Sequence, residues 1–397
     1  MHILIYRWRN DFYSDVEECF RKMGYTIEHV EHEFTDVYDD NRFQTKLESL
    51  LTRTQYDFVF SIDYFPVISE ACRICETNYI CWTINSPLPQ MYHKSIFNDI
   101  NYIFTYDKLS YVIFKKMAVM HIYYLPIGAA FDRIEEVTEK CNPNEFESNI
   151  SIIGNLYSDN AFDNLVDELP PYLTGYFDCA IEAQLQAGER DILATCINDS
   201  IVNLMKPYFQ VSRPVGSLID ISNLFTVKLL EKKIACVDRH RGINQLAKYF
   251  NVNLYSNEKL EPMKHVTVRK KPDYYSDYPK IFHNSKININ FAQPKVISGV
   301  PLRVWNTLAS GGFLITHSQS ELTDFFEVGR DLVTFEGPTE LKEKVWYYMN
   351  HESERQKIAE NGRKRVGELG NLSSRIDNII KTFRTGEQPP FLPGNSN

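Results

Sequence analysis

Short apolar runs alternate with amphipathic stretches along most of this chain, and that alternation limits its fold more than any other feature. Ile3–Tyr6, Tyr25–Val30, Asp57–Ile62, Tyr79–Ile84, Asn101–Thr105 and Ile122–Leu125 each read as a strand. Between them, Tyr13–Met23 (stopped by Gly24), Arg42–Leu51, Pro66–Cys75 and Leu109–Met117 carry helical spacing. Strands separated by helices are joined by crossovers, so the sheet is parallel and covered on both faces.

The polar, turn-rich stretch Glu135–Ser148, with Asn142-Pro143-Asn144 inside it, predicts a linker to a second such unit. Asn149–Ile153 opens that unit as a strand ending at Gly154. From Asn160 to about Phe209 the pattern is helical and strand-poor, which predicts an insertion. Alternation then resumes. Leu218–Lys232 reads as a helix, Ile234–Val237 as a strand, Gly242–Phe250 as a helix, and Val252–Tyr255 and Lys286–Phe291 as strands. A helix over Val300–Ala309 precedes the strand Phe313–Thr316, with further helices at Glu321–Phe326 and Glu340–Met349. At 397 residues, two cores are the natural expectation. The expected division is 1–140 and 148–368, both Rossmann-like, with the insertion at about 160–210 and a helix at 369–383 crossing back. The stretch Gly386–Asn397, with three prolines and two glycines, is expected to be disordered.

A formal net charge of −9 argues against general nucleic-acid binding. No run reaches the ~18–20 apolar residues that cross a bilayer, and the start, Met-His-Ile-Leu-Ile-Tyr, reads as a strand rather than a signal peptide. The eight cysteines sit mostly inside apolar patterns and are expected to be free thiols. Cys72-x2-Cys75 lacks the second pair that a structural zinc would need. These features together predict a cytoplasmic protein.

Two doubly wound units place strand carboxyl ends on either side of a crevice, where ligands of such sheets bind. The most informative stretch runs from Ser298 to Thr316: strand end, glycine turn, helix, Gly311-Gly312 stop, strand. Free N–H groups near Gly299 and Val300 suit a diphosphate. Arg303 adds a charged donor, and Asn306 shares its helix face. Thr316, His317 and Ser318 follow a strand on the same edge. In the first unit, Arg7 and Trp8 leave the first strand toward the crevice, where they can meet an acceptor or the donor phosphates. Asp63 ends the third strand and is either a base for an acceptor hydroxyl or a turn-capping residue.

The 298–316 stretch, with Ser320-Glu321-Leu322-Thr323-Asp324-Phe325-Phe326 and Tyr347–Gly362, resembles the CgeB-type glycosyltransferases, relatives of the group-1 enzymes of GT-B fold. Asp57–Glu70, Cys81–Pro87, Tyr124-Leu125-Pro126 and Ser151–Tyr157 resemble the N-terminal domain that accompanies them. The resemblance implies two Rossmann-like domains facing across a cleft, the first on the acceptor side and the second binding the donor. It implies transfer of a hexosyl or N-acetylhexosaminyl group from a nucleotide-diphosphate sugar, UDP on family precedent, to a hydroxyl. The implied acceptor is a protein Ser/Thr, as in flagellin or another surface protein, or an envelope glycan. Arg241 matches an arginine of the family pattern before a helix and is either a nucleotide contact or an exposed helix-start charge. Gly154 and Asn155 close the first strand of the second unit, where such folds bring backbone to phosphate, and Tyr275, before the next helix, either flanks the base or packs. Group-1 enzymes often carry two glutamates eight positions apart where this chain has Ser298 and Asn306, so a binding module without catalysis and a nucleotide-sugar epimerase remain alternatives. No Asp-x-Asp motif occurs, which predicts a mechanism without metal or other cofactor.

Overall fold

The computed structural model describes residues 1–8, 10–292 and 298–392. In the first half, β1 (His2–Arg7), β2 (Thr26–Glu31), β3 (Phe58–Ile62), β4 (Tyr79–Thr83), β5 (Asn101–Thr105) and β6 (Ile122–Tyr124) form one parallel sheet in the order β2-β1-β3-β4-β5-β6. Helices α1 (Phe12–Lys22), α2 (Asn41–Arg53), α3 (Pro66–Ile74) and α4 (Lys108–Lys116) cover it. β3 and β4 are buried along their whole length, as sheet interiors covered on both faces require. α5 (Phe131–Glu139) follows, running into the start of the stretch read as a linker, and packs against the second half.

The second sheet is also parallel and separate from the first. Its strands are β7 (Ser148–Ile153), β8 (Val252–Tyr255), β9 (Val266–Arg269), β10 (Ser285–Asn290), β11 (Leu314–His317) and β12 (Val333–Phe335), in the order β12-β11-β10-β7-β8-β9. Between β7 and β8 lie α6 (Pro171–Ala187), α7 (Leu193–Cys196), α8 (Asp199–Met205), α9 (Ile221–Leu229) and α10 (Glu231–Ala247). The remaining helices are α11 (Tyr278–Asn284), α12 (Leu302–Ala309), α13 (Leu322–Phe325), α14 (Pro338–Asn350), α15 (Glu352–Leu369) and α16 (Leu372–Thr385). α16 lies on α1 of the first half, burying Ile376, Ile379 and Ile380, while its Phe383 meets the rings of Phe58 and Tyr102.

Three sequence expectations change. Ile234–Val237 is not a strand but the second turn of α10; four apolar residues fit either period, and burial of Ile234 against the insertion core decides for helix. β9 and β12 were not legible, the first because it is an exposed edge strand and the second because it has three residues. Residues 386–392 are ordered by packing: Phe391 lies under the Arg375 guanidinium at 4.1 Å and Gln388 donates to the Tyr124 carbonyl at 2.9 Å. Residues 393–397 lie outside the described residues. Cys72 is fully buried in the first core, and all eight cysteines are free.

Candidate functional site

In each sheet the chain reverses its winding direction beside the first strand. The switch falls between β1 and β3 in one sheet and between β7 and β10 in the other. The loops at these two points face each other across a cleft of about 490 Å³, the position at which open parallel sheets bind ligands. Asn10–Phe12 and Ile84–Ser86 form the first-domain wall. Gly154, Asn155, Tyr274, Tyr278, Arg239 and the start of α12 form the other.

Two arginines dominate the chemistry. Arg303 rises from the first turn of α12, and its guanidinium lies against Gly154. That glycine has φ +146, and a Cβ there would sit 3.3 Å from Arg303 Nη1. The backbone conformation favours glycine, and the missing side chain lets the guanidinium lie close. Arg239 comes from α10 and is 6% exposed; it donates to the Asn155 carbonyl and stands 4.7 Å over the Tyr157 ring. Its Nε has no partner among the described residues. Neither guanidinium pairs with a carboxylate among the described residues, and burial, with the nearby Arg239 charge, draws the pKa of Arg303 down. Lys271 adds a third cation, and Asp11, the one described carboxylate lining the cleft, sits 3.5 Å from it. The cleft is therefore positive inside a chain of net charge −9. Such a cavity concentrates anions.

Asn306 lies one turn beyond Arg303. Its Nδ2 donates to the Tyr274 hydroxyl at 3.2 Å, while its buried Oδ1 has no partner among the described residues. Tyr274 in turn donates to Asp15, which holds Arg133 bidentately at 2.7 and 2.9 Å, so the Asn306 amide is oriented from the opposite domain.

Ser298 and Gly299 do something other than expected. Their backbone N–H groups donate to Asp107 Oδ2 at 3.1 and 3.3 Å, so they are not free for a phosphate. A Cβ on Gly299 would meet the Tyr106 ring at 2.5 Å, so glycine here permits close approach of the two domains. The Ser298 hydroxyl lies 2.5 Å from Glu321 Oε1, and Glu321 also accepts from the Lys108 N–H at 2.6 Å and the Tyr124 hydroxyl at 2.7 Å. Asp107 of the first domain thus caps two backbone N–H groups of the second, and Glu321 of the second caps one of the first, across one seam. Burial pushes the Glu321 carboxyl up to about 7 against those hydrogen bonds, with the Asp107 charge adding to the rise. Because α12 begins at Leu302, the helix N–H groups presented to the cleft are those of Leu302 and Arg303.

Of the other sequence candidates, Gly154 and Asn155 line the cleft. Val300 is a core residue, 2% exposed. Thr316 is fully buried and its hydroxyl accepts from Asn290. His317 and Ser318 line a neighbouring pocket instead. Arg241 points away and pairs with Glu182 of the insertion at 2.8 Å. Because α10 is continuous through 239–241, residues 239 and 241 stand about 200° apart on it. Tyr275 stacks under Arg133 outside the cleft, and Tyr274 and Tyr278 take the inner positions. Arg7 is held by Ser14 at 3.1 Å, and Trp8 packs on Phe34 and Phe65; neither lines the cleft. Asp63, at φ 62, clamps the loop after β4. It accepts from the backbone of Ile84 and Asn85 at 2.9 and 3.2 Å and from the Asn85 amide at 2.5 Å. Its carboxylate is spent on shaping the wall. Sequence reasoning missed Arg239, whose signal was present only in the correct helical register of α10. Among the described residues no group of three or more His, Cys, Asp or Glu is placed to hold a metal ion. No described helix is long and apolar enough to cross a membrane.

Residues 239–381 match a family model described as "Glycosyl transferase-like". No curated protein matches the chain. Among solved structures, the chain is similar to UDP-forming α,α-trehalose-phosphate synthase from Burkholderia xenovorans, with TM-score 0.55 at 11% identity over 97% of this chain and 98% of that one. Sucrose-phosphate synthase from Thermosynechococcus elongatus gives TM-score 0.54 at 10% identity over 97% and 98%. Anabaena Alr3699/HepE in complex with UDP-glucose gives 0.52 at 10% identity over 97% and 100%. At these identities the likeness is one of fold: two parallel six-stranded sheets with flanking helices, the GT-B arrangement. Fold and family match agree on the class, a glycosyltransferase-type enzyme whose second domain carries the match.

Proposed function

We propose that the chain transfers a hexosyl or N-acetylhexosaminyl group from a nucleotide-diphosphate sugar to a hydroxyl acceptor, without a metal ion. The observation that carries this reading is the pair Arg239 and Arg303. Two guanidiniums without carboxylate partners among the described residues, beside a glycine turn and a helix start, are what a leaving diphosphate needs. As the bond between sugar and diphosphate breaks, charge grows on the phosphate oxygens and is met by fixed donors. Asn306 supplies an amide to a ribose hydroxyl, with its Oδ1, unpartnered among the described residues, as acceptor. UDP is the proposed nucleotide, a reading supported by the UDP-glucose complex of Alr3699/HepE within the same fold. Membership of the CgeB-type family, a Ser/Thr acceptor on a surface protein or an envelope glycan, and a cytoplasmic setting complete the proposal.

The test is UDP release from a panel of UDP-sugars, with and without hydroxyl acceptors and EDTA. Acceptor-dependent release that survives EDTA is the expected result. UDP binding without turnover would favour a binding module, and interconversion of the UDP-sugars an epimerase. Loss of activity on chelation, restored by Mn²⁺, would overturn the metal-free mechanism.

A further inference from the structure

Beyond Ala292, which lines the cleft, the ligand edge of the second sheet continues into a separate pocket of about 390 Å³ that Ala292 also lines. Its floor is the ends of β11 and β12, with His317, Gln319 and Glu336. Its outer wall is Gln184–Arg190, the end of α6 and the loop after it, where Glu189 accepts the Ser320 N–H at 2.6 Å. The insertion therefore builds half of this pocket.

The two cavities have opposite electrostatic character. Among the described residues, the cleft holds three cations and one carboxylate, whereas Glu189, Asp238 and Glu336 line the pocket against Arg190. His317 adds no charge, because burial draws its pKa down. α10 produces the contrast between consecutive residues, turning Asp238 into the pocket and Arg239 into the cleft. A phosphate is drawn to one side and repelled from the other.

Among the described residues, the negative side offers unfilled acceptors beside one unfilled ring N–H. His317 Nδ1 accepts the Ala292 N–H at 3.1 Å, so Nε2 carries the ring proton and faces Asp238 Oδ2 at 3.6 Å, beyond a normal hydrogen bond. Gln319 is 4% exposed; its Nε2 donates to the Gly299 carbonyl at 3.2 Å, and its Oε1 has no partner among the described residues. Glu336 is on the exposed rim. A ligand that satisfies Asp238, Gln319 and Glu336 together must bring several donors and no negative charge. Neighbouring hydroxyls on a ring do so, whereas a peptide backbone carries as many acceptors as donors.

We infer that this pocket binds the acceptor as a neutral, polyhydroxylated sugar ring, held by Asp238, Gln319 and Glu336. The inference rests on the proposed function and deepens it. Saturation-transfer NMR with UDP-saturated protein and D-glucose, D-galactose, N-acetyl-D-glucosamine and L-rhamnose as probes tests it. At least one sugar is expected to bind, and Asp238→Asn and Glu336→Gln are each expected to weaken it about tenfold or more, the loss for a charged hydrogen bond. For Glu336→Gln, calorimetric UDP affinity should stay within about twofold of the parent, since that side chain does not face the cleft. Glu336→Gln, at an exposed position, keeps the test decisive if Asp238→Asn fails to fold. Absence of sugar binding overturns the inference, as does binding that both variants retain. Displacement of the sugar by UDP-glucose but not by UDP would also overturn it, because the pocket would then hold the donor's own sugar. A parent chain that does not bind UDP would instead sink the proposed function.

Discussion

Arg303→Ala is expected to weaken UDP binding roughly tenfold to 150-fold. A hydrogen bond to a charged group contributes about 1.5–3 kcal/mol, and each ~1.4 kcal/mol is a decade in affinity. Arg239→Ala should fall in the same range. The two effects should not add, because the guanidiniums lie close enough for the Arg239 charge to draw the Arg303 pKa down. Asn306→Ala should cost less, since a neutral hydrogen bond nets only about 0.5–1.5 kcal/mol. A second measurement separates a ligand site from scaffolding. Arg303 carries a half-buried charge with no carboxylate partner among the described residues, so Arg303→Met should leave the ligand-free protein at least as stable as the parent. Calorimetric titration of UDP and thermal melts of the same variants provide both readings. A variant that keeps the parent's affinity, or loses stability and affinity together, would show that Arg303 braces the fold instead.

Stability is expected to fall as pH rises from about 4.5 to about 7, by about 3 kcal/mol from Glu321 alone. The sign follows from burial. Glu321 has its carboxyl raised from 4.5 to about 7 in the folded chain, so between those values the folded state binds the extra proton. Its contribution is complete below pH 4.5 and lost as pH passes through 7. The groups around it are Asp107 and Lys108 at the head of α4, Ser298 before α12, Tyr124 on β6, and Asp324 on α13. Urea unfolding of the parent and Glu321→Gln at pH 4.5 and 7 checks the expectation. The parent should lose more stability between the two pH values than the Gln variant by about that amount. Equal slopes in both proteins would assign the pH dependence to other groups.

The architecture was legible because parallel sheets covered on both faces leave apolar runs such as Phe58–Ile62 and Tyr79–Thr83. What failed was local ambiguity. Ile234–Val237 fits a strand or a helix turn by period, and reading it as strand moved the helix start beyond Arg239. Arg241 was then the arginine at a helix entrance, although its side chain reaches Glu182 outside. The same limit applies to Tyr275 against Tyr274. Adjacent tyrosines have equal composition and opposite directions, and only the turn before α11 decides which one faces the cleft.

The sequence by itself determined two parallel sheets, the glycine turn at Gly154, and a short helix presenting Arg303 and Asn306 on one face. Those follow from local spacing and backbone conformation, which the chain carries wherever it goes. Tertiary structure alone decided which groups stayed available. The Gly299 N–H looks open in the sequence, but Asp107, about 190 residues earlier, takes it together with that of Ser298. Arg303 stays unpaired because no described carboxylate was brought to it, while Asp63 is used up by Ile84 and Asn85. Hydrogen bonds and ion pairs form over about 3 Å, so a polar residue's role depends on which distant segment the fold sets beside it.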